Sequence, residues 1–379
     1  LGYFKYAELL VENFSQLLAS AGVIYSPPVF DIILPIGISF YTFQTMSYTI
    51  DVYRKKISPT TNLLDFSLYV TFFPQLVAGP IVRAGNFLPQ CETRKQLNLP
   101  AVVIGISLIV WGLFQKTVLA DGLFSPLVDG FYSIGLGGSL ASNWLAIFSF
   151  SMQIYYDFAG YSLCAVGAAM ALGFTLPDNF NAPYAATGFS DFWHRWHISL
   201  SQWMRDYLYI PLGGNRHGRK KGLENLIIVM FLGGLWHGAS WNFVLWGLLH
   251  GMFLVIEHLL KEWKQIRIPQ VLSILITFTV VTLIWIPFRS ADMVDCVHSF
   301  KQLFNSDLVF FNGLTIHQIV AVAVMGMTLG YQYWRREKYL ADLLYQVPYI
   351  IQAGLISIAL LTIALTATGD THAFIYFQF

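Results

Sequence analysis

His237 lies in the glycine-rich stretch LGGLWHGASWNF, residues 232–243, in an otherwise apolar run. An ionisable side chain is expensive to bury in such a run, so its presence indicates a functional site. An imidazole can be buried uncharged, and in that form it can act as a general base. A base that takes a proton from an attacking hydroxyl contributes roughly 10²–10⁴-fold in rate. His237 is therefore a candidate catalytic base.

The neighbours of His237 favour a buried site. Gly233, Gly234 and Gly238 carry no side chain, so a substrate or another backbone can approach closely. Trp236 and Trp241 would exclude water. The alternative is a packing histidine in a helix contact made by small residues.

A second histidine lies in FSDFWHRWHISLSQWMRDYLYIPLGG, residues 189–214. This stretch predicts one amphipathic helix, with Ser190 as its N-cap, at the membrane interface or lining a cavity. His197 falls on its aromatic face, so we expect two inward histidines to converge on one cavity; a structural role for His197 remains open. The aromatic face comprises Trp193, Trp196, His197, Leu200, Trp203, Met204 and Tyr207, and the opposite face Arg195, Ser199, Gln202 and Asp206.

Other groups of polar residues are weaker candidates. His194 and His197 are three residues apart, but no neighbouring cysteine or carboxylate completes a metal site, and we expect none. Asp157 is an intramembrane carboxylate, either a proton relay or a hydrogen-bond partner of a tyrosine or backbone group. Glu257 and Lys116 are interpreted as snorkelling or paired. The basic loop NRHGRKK is a topology signal, or it meets the phosphates of a donor through Arg216, Arg219 and Lys220.

The composition is that of a chain whose solvent is lipid. Of 379 residues, 56% are hydrophobic and 11% charged, against roughly 45–50% and 25% in soluble domains. Continuous apolar runs of about 18 residues or more indicate membrane-spanning helices. A net charge of +1 gives no indication of a nucleic-acid partner, and the three cysteines have no CxxC spacing. The sequence thus predicts an all-α polytopic membrane protein.

Apolar segments recur along the whole chain, and we expect one membrane domain over residues 1–379. Because the chain begins with Leu1, we expect that N-terminal membrane segments are missing. Pro74, Gly79 and Pro80 interrupt residues 64–82, which we interpret as re-entrant or kinked inside protein. The candidate spanning or embedded segments are residues 32–50, 64–82, 101–119, 144–172, 226–235, 243–260, 271–286, 319–331 and 350–367.

Clusters of lysine and arginine set the orientation, because such clusters stay in the cytoplasm. They lie within residues 54–56, 216–221, 261–267 and 335–338. Residues 226–260 must then leave the cytoplasmic side and return to it, with His237 at the turn. Residues 226–236 cover only about 16 Å, which predicts that His237 lies near mid-membrane. Residues 350–367 then cross from the cytoplasmic side, which places the aromatic tail FIYFQF outside the cell.

Residues 192–216, FWHRWHISLSQWMRDYLYIPLGGNR, and 232–251, LGGLWHGASWNFVLWGLLHG, closely resemble the membrane-bound O-acyltransferase (MBOAT) family, and within it the bacterial alginate O-acetyltransferase branch. Supporting stretches are SFYTFQTMSYTIDVYR, PQLVAGPIVR, NFNAPY, WIPFRS and FIYFQF. The resemblance implies a ring of tilted helices around a central funnel, whose tunnel brings a donor toward an acceptor on the far side. It implies that His237 is catalytic and that His197 is the second signature position.

The resemblance also implies a reaction. An acyl group, acetyl, would pass from a cytoplasmic thioester, acetyl-CoA, toward an exported polysaccharide such as alginate, with no bound cofactor. The location would be the bacterial inner membrane, among membrane lipid, and the partner a periplasmic acyltransferase that the aromatic tail could contact. His197 would orient the acceptor or hydrogen-bond the developing oxyanion. Substrate contacts are expected from Trp236, Trp241, Trp196 and Asn242.

Three rival interpretations remain. A D-alanyl transferase of the same family would take its acyl group from a carrier protein. A polysaccharide or small-molecule transporter shares the composition but predicts internal repeats, which the sequence lacks. A non-catalytic scaffold predicts that acylation survives the loss of His237.

Overall fold

The computed structural model describes residues 2–25, 27, 35, 37–76, 79–96, 98–134, 139–262, 268–305 and 309–366. These residues form helices and loops with no strand among them, which confirms the predicted all-α class. The helices are α1 (Gly2–Ser20), α2 (Ile38–Tyr53), α3 (Leu63–Thr71), α4 (Phe73–Leu76), α5 (Ala84–Cys91), α6 (Leu99–Phe114), α7 (Ser125–Ile134), α8 (Leu140–Ala171), α9 (Phe189–Arg195), α10 (Ile198–Met204), α11 (Arg219–His237), α12 (Trp241–Glu262), α13 (Gln270–Arg289), α14 (Met293–Gln302), α15 (Ile316–Trp334), α16 (Leu340–Gln346) and α17 (Tyr349–Thr366). π-Helical stretches follow α6 (Gln115–Phe124) and α10 (Arg205–Tyr209).

Within the described residues, four stretches are long and apolar enough to cross a membrane: Leu99–Tyr132, Trp241–Lys261, Gln270–Arg289 and Tyr349–Thr366. The membrane class is thereby confirmed, with fewer clear spanning helices than the sequence predicts. The longest helix, α8 with 32 residues, is not among them and is largely buried within the protein. The aromatic tail after residue 366 and most of residues 26–36 lie outside the described residues.

Two glycine pairs bring α6 and α8 into close antiparallel contact. A Cβ on Gly105 would lie 2.6 Å from the carbonyl oxygen of Gly167, and a Cβ on Gly112 would lie 2.5 Å from that of Gly160. The two glycines of each helix are seven residues apart, so they lie on the same face of that helix. Close approach through small residues is the usual way in which membrane helices associate.

The segment of residues 64–82 is interrupted, as its prolines predict. Helix α3 ends at Thr71, and the short helix α4 follows Phe72, which has non-helical backbone angles. Pro74 and Gln75 are buried. Gln75 donates through Nε2 to the carbonyl of Tyr69 at 2.9 Å, so the broken backbone is satisfied inside the protein.

The prediction of one continuous helix beyond Ser190 is wrong. Two short helices, α9 and α10, are separated at Trp196 and His197. His197 has φ 44° and ψ 54°, the left-handed region that non-glycine residues seldom adopt. Ser190 lies inside α9, whose N-cap is Gly188, and its backbone N–H donates to Glu257 Oε2 at 3.0 Å.

Arg195, predicted on the face opposite the aromatic one, is buried and forms ionic contacts that hold α9. Its Nε lies 2.7 Å from Asp191 Oδ1, and its guanidinium also donates to the carbonyl of Arg336 at 2.6 Å. Burial raises the pKa of Asp191, but hydrogen bonds from Thr187, Arg195 and Arg336 outweigh burial and hold the pKa at about 2. The ionised Asp191 therefore ties α9 to the chain that follows α15.

Candidate active site

His237 is the last residue of α11, and the end of this helix is held from α1. Lys5 Nζ donates to the carbonyls of Trp236 and His237, the second at 2.9 Å. The Tyr6 hydroxyl donates to the carbonyl of Leu235 at 2.7 Å. The last carbonyls of a helix lack partners within it and carry partial negative charge, so an ammonium group is favourable there. Gly238 is extended, with φ −164° and ψ 154°, so the chain leaves the helix directly after the imidazole.

Aromatic rings enclose the His237 side chain, and the residue is 7% exposed. The ring centroid of Trp246 lies 4.9 Å from that of the imidazole, and the Phe288 centroid lies 5.2 Å away, both edge to face. Trp236 lies at 4.9 Å on another side. This enclosure excludes bulk water from the imidazole and places it in a largely apolar environment.

His197 is held by Asn179, which lies in the loop between α8 and α9. Asn179 Oδ1 lies 3.1 Å from His197 Nδ1 and also accepts from the Ser199 backbone N–H at 3.3 Å and the Ser199 hydroxyl at 2.9 Å. Because an N–H donates to it, this amide atom is the oxygen, and its Nδ2 donates to Ser162 at 3.3 Å. An acceptor opposite Nδ1 places the proton on Nδ1. His197 Nε2 is then an acceptor, and it has no hydrogen bond to any described residue.

Trp236 brings the two histidines into one cluster. Its ring centroid lies 6.2 Å from that of His197 and 4.9 Å from that of His237. On its outer side it stacks on Phe43 at 5.2 Å. The structure thus places both predicted histidines, both buried, against one indole ring.

The glycines before and after His237 serve the packing of protein, not an open space. A Cβ on Gly234 would overlap the carbonyl oxygen of Phe243, and a Cβ on Gly233 would lie 2.6 Å from Met204 Cε. Gly238 is covered by the Phe243 ring. Of the two predicted uses of these glycines, close approach of another part of the chain is the one seen here.

The predicted substrate contacts other than Trp236 lie in differing surroundings. Trp241 is 59% exposed and donates through Nε1 to Asn13 at 3.2 Å, so it does not wall the His237 site. Asn242 is buried, and its Nδ2 donates to the Ser290 carbonyl at 2.9 Å, which uses one of the two amide hydrogens of this predicted substrate contact. Trp196 is buried in the aromatic core, 5.2 Å from Trp285.

A cavity of about 740 Å³, here called the basic cavity, lies between α9, α10, the start of α11 and the end of α12. Its wall includes Arg219, one of three basic residues predicted to contact a donor, whereas Arg216 and Lys220 are not among its lining residues. Met204 also lines it, and the same side chain fills the space at Gly233, one helical turn before His237. The basic cavity thus ends about 6 Å along the helix axis from the histidine. His197 and His237 do not themselves line it.

Residues 42–291 match the model of the MBOAT, membrane-bound O-acyltransferase, family. The chain belongs to the MBOAT family. The matched range contains both histidines, Asn179, and α11 with α12, so the MBOAT region coincides with the site described above.

Several curated proteins resemble this MBOAT chain. The probable alginate O-acetylase of Azotobacter vinelandii is 38% identical over 332 residues, which cover 87% of this chain and 66% of that protein. The peptidoglycan O-acetyltransferase of Helicobacter pylori is 35% identical over 346 residues, 83% of this chain and 63% of that protein. The teichoic acid D-alanyltransferase of Bacillus subtilis is 28% identical over 268 residues, 66% and 67% respectively. The chain thus spans just under two thirds of the length of the alginate and peptidoglycan relatives.

Three residues of the MBOAT site were missed by sequence reasoning. His250 is fully buried, its ring 4.8 Å from that of Trp246, and neither of its nitrogens has a hydrogen-bond partner in the described part of the chain. Its position four residues after Trp246 on α12 was an available signal. Asn179 and Lys5 gave none, because each acts from a distant segment whose proximity only the fold reveals.

The intramembrane carboxylate Asp157 has a partner that sequence reasoning did not identify. Lys116 Nζ lies 2.5 Å from Asp157 Oδ1 and 2.8 Å from Asp121 Oδ1. Both partners of the closer pair are buried, at 11% and 2% side-chain exposure. Lys116 lies in the π-helical turn after α6, so the ion pair joins the two glycine-packed helices.

Proposed function

We propose that this chain transfers an acyl group, acetyl, from a cytoplasmic thioester to a hydroxyl acceptor, as a step in the O-acetylation of an exported polysaccharide such as alginate. Family membership and the names of its relatives support acyl transfer to oxygen. The observation that carries the proposal is the buried pair His237 and His197, both in ring contact with Trp236.

The two imidazoles divide the chemistry. His237 takes the proton of the acceptor hydroxyl as its oxygen attacks the thioester carbonyl, and then gives that proton to the departing thiolate as the C–S bond breaks. With the proton on Nδ1, His197 presents Nε2 as an acceptor. It can therefore orient the acceptor by accepting from a second hydroxyl of the same molecule, because the hydrogen of the reacting hydroxyl goes to His237. The alternative of donating to the oxyanion would require a second proton on the His197 ring.

The basic cavity is the proposed binding site of the donor. Arg219, Arg205 and Lys261 lie on its wall, where Lys261 is paired with Glu257. Arg219 and Arg205 supply the positive charge that suits the phosphates of acetyl-CoA. Its inner end is closed by Met204, an unbranched and flexible side chain. Rotation of Met204 away from Gly233 would open a passage for the thioester to reach His237.

The location follows from the same proposal. The chain is placed in the bacterial inner membrane with its basic clusters in the cytoplasm, so that the donor enters from that side. The acceptor side then faces the periplasm, where a partner acyltransferase would pass the group to the polysaccharide.

The identity of the acyl donor can be tested in membranes that carry the chain. These membranes are supplied either with labelled acetyl-CoA or with a carrier protein bearing labelled D-alanine. We expect label in hydroxyl ester from acetyl-CoA alone. Label from the carrier alone would instead support the D-alanyl activity named for the Bacillus relative, and label from neither would contradict acyl transfer.

A matched pair of variants tests the donor site. Arg219→Gln should raise the concentration of acetyl-CoA needed for half-maximal transfer several-fold, because a charge-assisted contact with phosphate is lost. Lys220→Gln carries the same charge change one residue away but does not line the basic cavity, and should have little effect. Equal effects of the two variants would exclude the basic cavity as the donor site.

A further inference from the structure

A second cavity, of about 320 Å³, opens between α6, α8 and α15. It is separate from the basic cavity, and its wall is mainly aromatic and aliphatic. Met327, at 65% exposed, and Tyr331, at 43%, border it on the outer surface of α15. We call it the lateral cavity. Its other apolar lining residues include Trp111, Phe114, Leu119, Leu163, Val166 and Val324.

The polar end of the lateral cavity holds a buried arginine that makes no direct ion pair with a described residue. Arg335 is 6% exposed, and its buried Nε has no hydrogen-bond partner among the described residues. The Asp178 carboxylate lies near enough to interact electrostatically with Arg335, although the two form no direct ion pair. The guanidinium carbon of Arg335 lies over the face of the Tyr331 ring, 5.5 Å from the centroid. A buried guanidinium group is unfavourable unless its N–H groups are paired. The following residue, Arg336, is by contrast paired with Asp191 at 2.5 Å.

Gln332 adds a second N–H donor on the same wall. Its Oε1 accepts from the backbone N–H of Tyr184 at 2.8 Å, which fixes the orientation of the amide group. Its Nε2 is buried beside the Tyr155 hydroxyl and makes no hydrogen bond of good geometry to any described residue. Arg335 and Gln332 therefore offer N–H donors to whatever occupies the cavity.

Arg335 lies at the depth where the phosphate of a membrane lipid would be found. It directly follows the last residue of α15, beside the exposed aromatic residues Tyr331, Tyr333 and Trp334. Tyrosine and tryptophan concentrate at the depth of the lipid headgroups. An amphiphile whose phosphate meets Arg335 would have its acyl chains along the apolar wall and the outer surface of α15.

We propose that the lateral cavity binds an anionic phospholipid, with its phosphate on Arg335 and Gln332 and its acyl chains along α6 and α15. Asp178 also lines the cavity but makes no ion pair with Arg335. Burial raises the pKa of Asp178 to about 6. Its carboxylate opposes an anionic ligand, so Asp178→Asn should tighten binding.

The test reconstitutes the full chain with equal amounts of phosphatidylglycerol and phosphatidylethanolamine, and measures the lipid retained per chain by native mass spectrometry. We expect preferential retention of phosphatidylglycerol by the wild type, a loss of roughly tenfold in Arg335→Gln, and partial recovery in Arg335→Lys, which keeps the charge. Lys338→Gln is the matched control, because Lys338 is exposed and does not line the cavity.

The outcome does not depend on any acyltransferase activity. If Arg335→Gln does not fold, Asp178→Asn tests the proposal instead. Increased retention of phosphatidylglycerol by Asp178→Asn supports the site, and unchanged retention overturns it. Equal retention of the two lipids, or equal loss in Arg335→Gln and Lys338→Gln, would also overturn the proposal. If inorganic phosphate alone raised the melting temperature as much as phosphatidylglycerol vesicles do, the ligand would be a free anion and the lipid assignment wrong.

Discussion

Replacing Asn179 with leucine tests whether this residue positions His197. The substitution keeps a side chain of similar size but removes the oxygen that accepts from His197 Nδ1, the Ser199 N–H and the Ser199 hydroxyl. The hydroxyl can rotate, but the imidazole N–H and the backbone N–H are left buried without an acceptor. Each stranded donor costs about 1–3 kcal/mol, so the free energy of unfolding should fall by about 2–6 kcal/mol. His197 also loses the contact that selects its Nδ1–H tautomer.

The assay compares Asn179→Leu with Asn179→Asp, whose carboxylate still accepts from both N–H groups. Thermal unfolding in detergent should rank the proteins wild type, Asp, then Leu. Transfer of labelled acetyl by folded protein should fall roughly 10–100-fold for Leu, the range seen when other histidine-orienting partners are removed. If Asn179→Leu unfolded at the wild-type temperature and transferred acetyl at the wild-type rate, the positioning argument would be refuted.

Three further predictions concern packing and access. Lys116→Met should destabilise the chain by about 3–5 kcal/mol, because buried carboxylates lose their cation. Combining Lys116→Met with Asp157→Asn should recover part of that loss in thermal unfolding. If the double variant recovered nothing, the Lys116–Asp157 ion pair would not be the source of the stability. Gly234→Ala should lower stability by about 1–3 kcal/mol because its Cβ overlaps backbone. Gly326→Ala, which has open space around it, should be neutral or stabilising. Equal melting temperatures of these two variants would contradict the close helix contact at Gly234. Met204→Trp should block the inner end of the basic cavity and lower acetyl transfer at least roughly tenfold at unchanged protein level, and unaffected transfer would place the donor route elsewhere.

Continuous apolar runs were sufficient to identify several of the long helices. The predicted segments of residues 144–172, 243–260, 271–286, 319–331 and 350–367 correspond to α8, α12, α13, α15 and α17. Proline and glycine within residues 64–82 correctly predicted a break. These features depend on local chemistry, which a single sequence displays directly.

The break at His197 could not be predicted, because its cause is not local. Residues 190–209 have the spacing of an amphipathic helix, and no proline or glycine interrupts them. The left-handed backbone of His197 is stabilised from a distant loop, where the Asn179 carbonyl accepts from the Ile198 N–H at 3.0 Å and the Asn179 side chain binds the histidine. Tertiary contacts here override the helical pattern.

Of the candidate site residues, His237 was selected from sequence because ionisable groups are rare in apolar runs, and His197 because it falls on an aromatic face at helical spacing. The role of Trp241 was inferred from its closeness along the chain, and the structure places it on the exposed side, against Asn13. Lys5 was missed for the converse reason: it reaches the carbonyl of His237 from a helix more than two hundred residues earlier. Separation along the chain hides such partners.

The most direct test of the central claim is acetyl transfer by His237→Ala in membranes supplied with labelled acetyl-CoA. His298→Ala is the matched control, since His298 is an exposed histidine on α14. We predict that His237→Ala lowers the label in hydroxyl ester by at least roughly 10²-fold at equal protein level, because the general base is lost, while His298→Ala behaves as wild type. Wild-type labelling by His237→Ala would contradict the account.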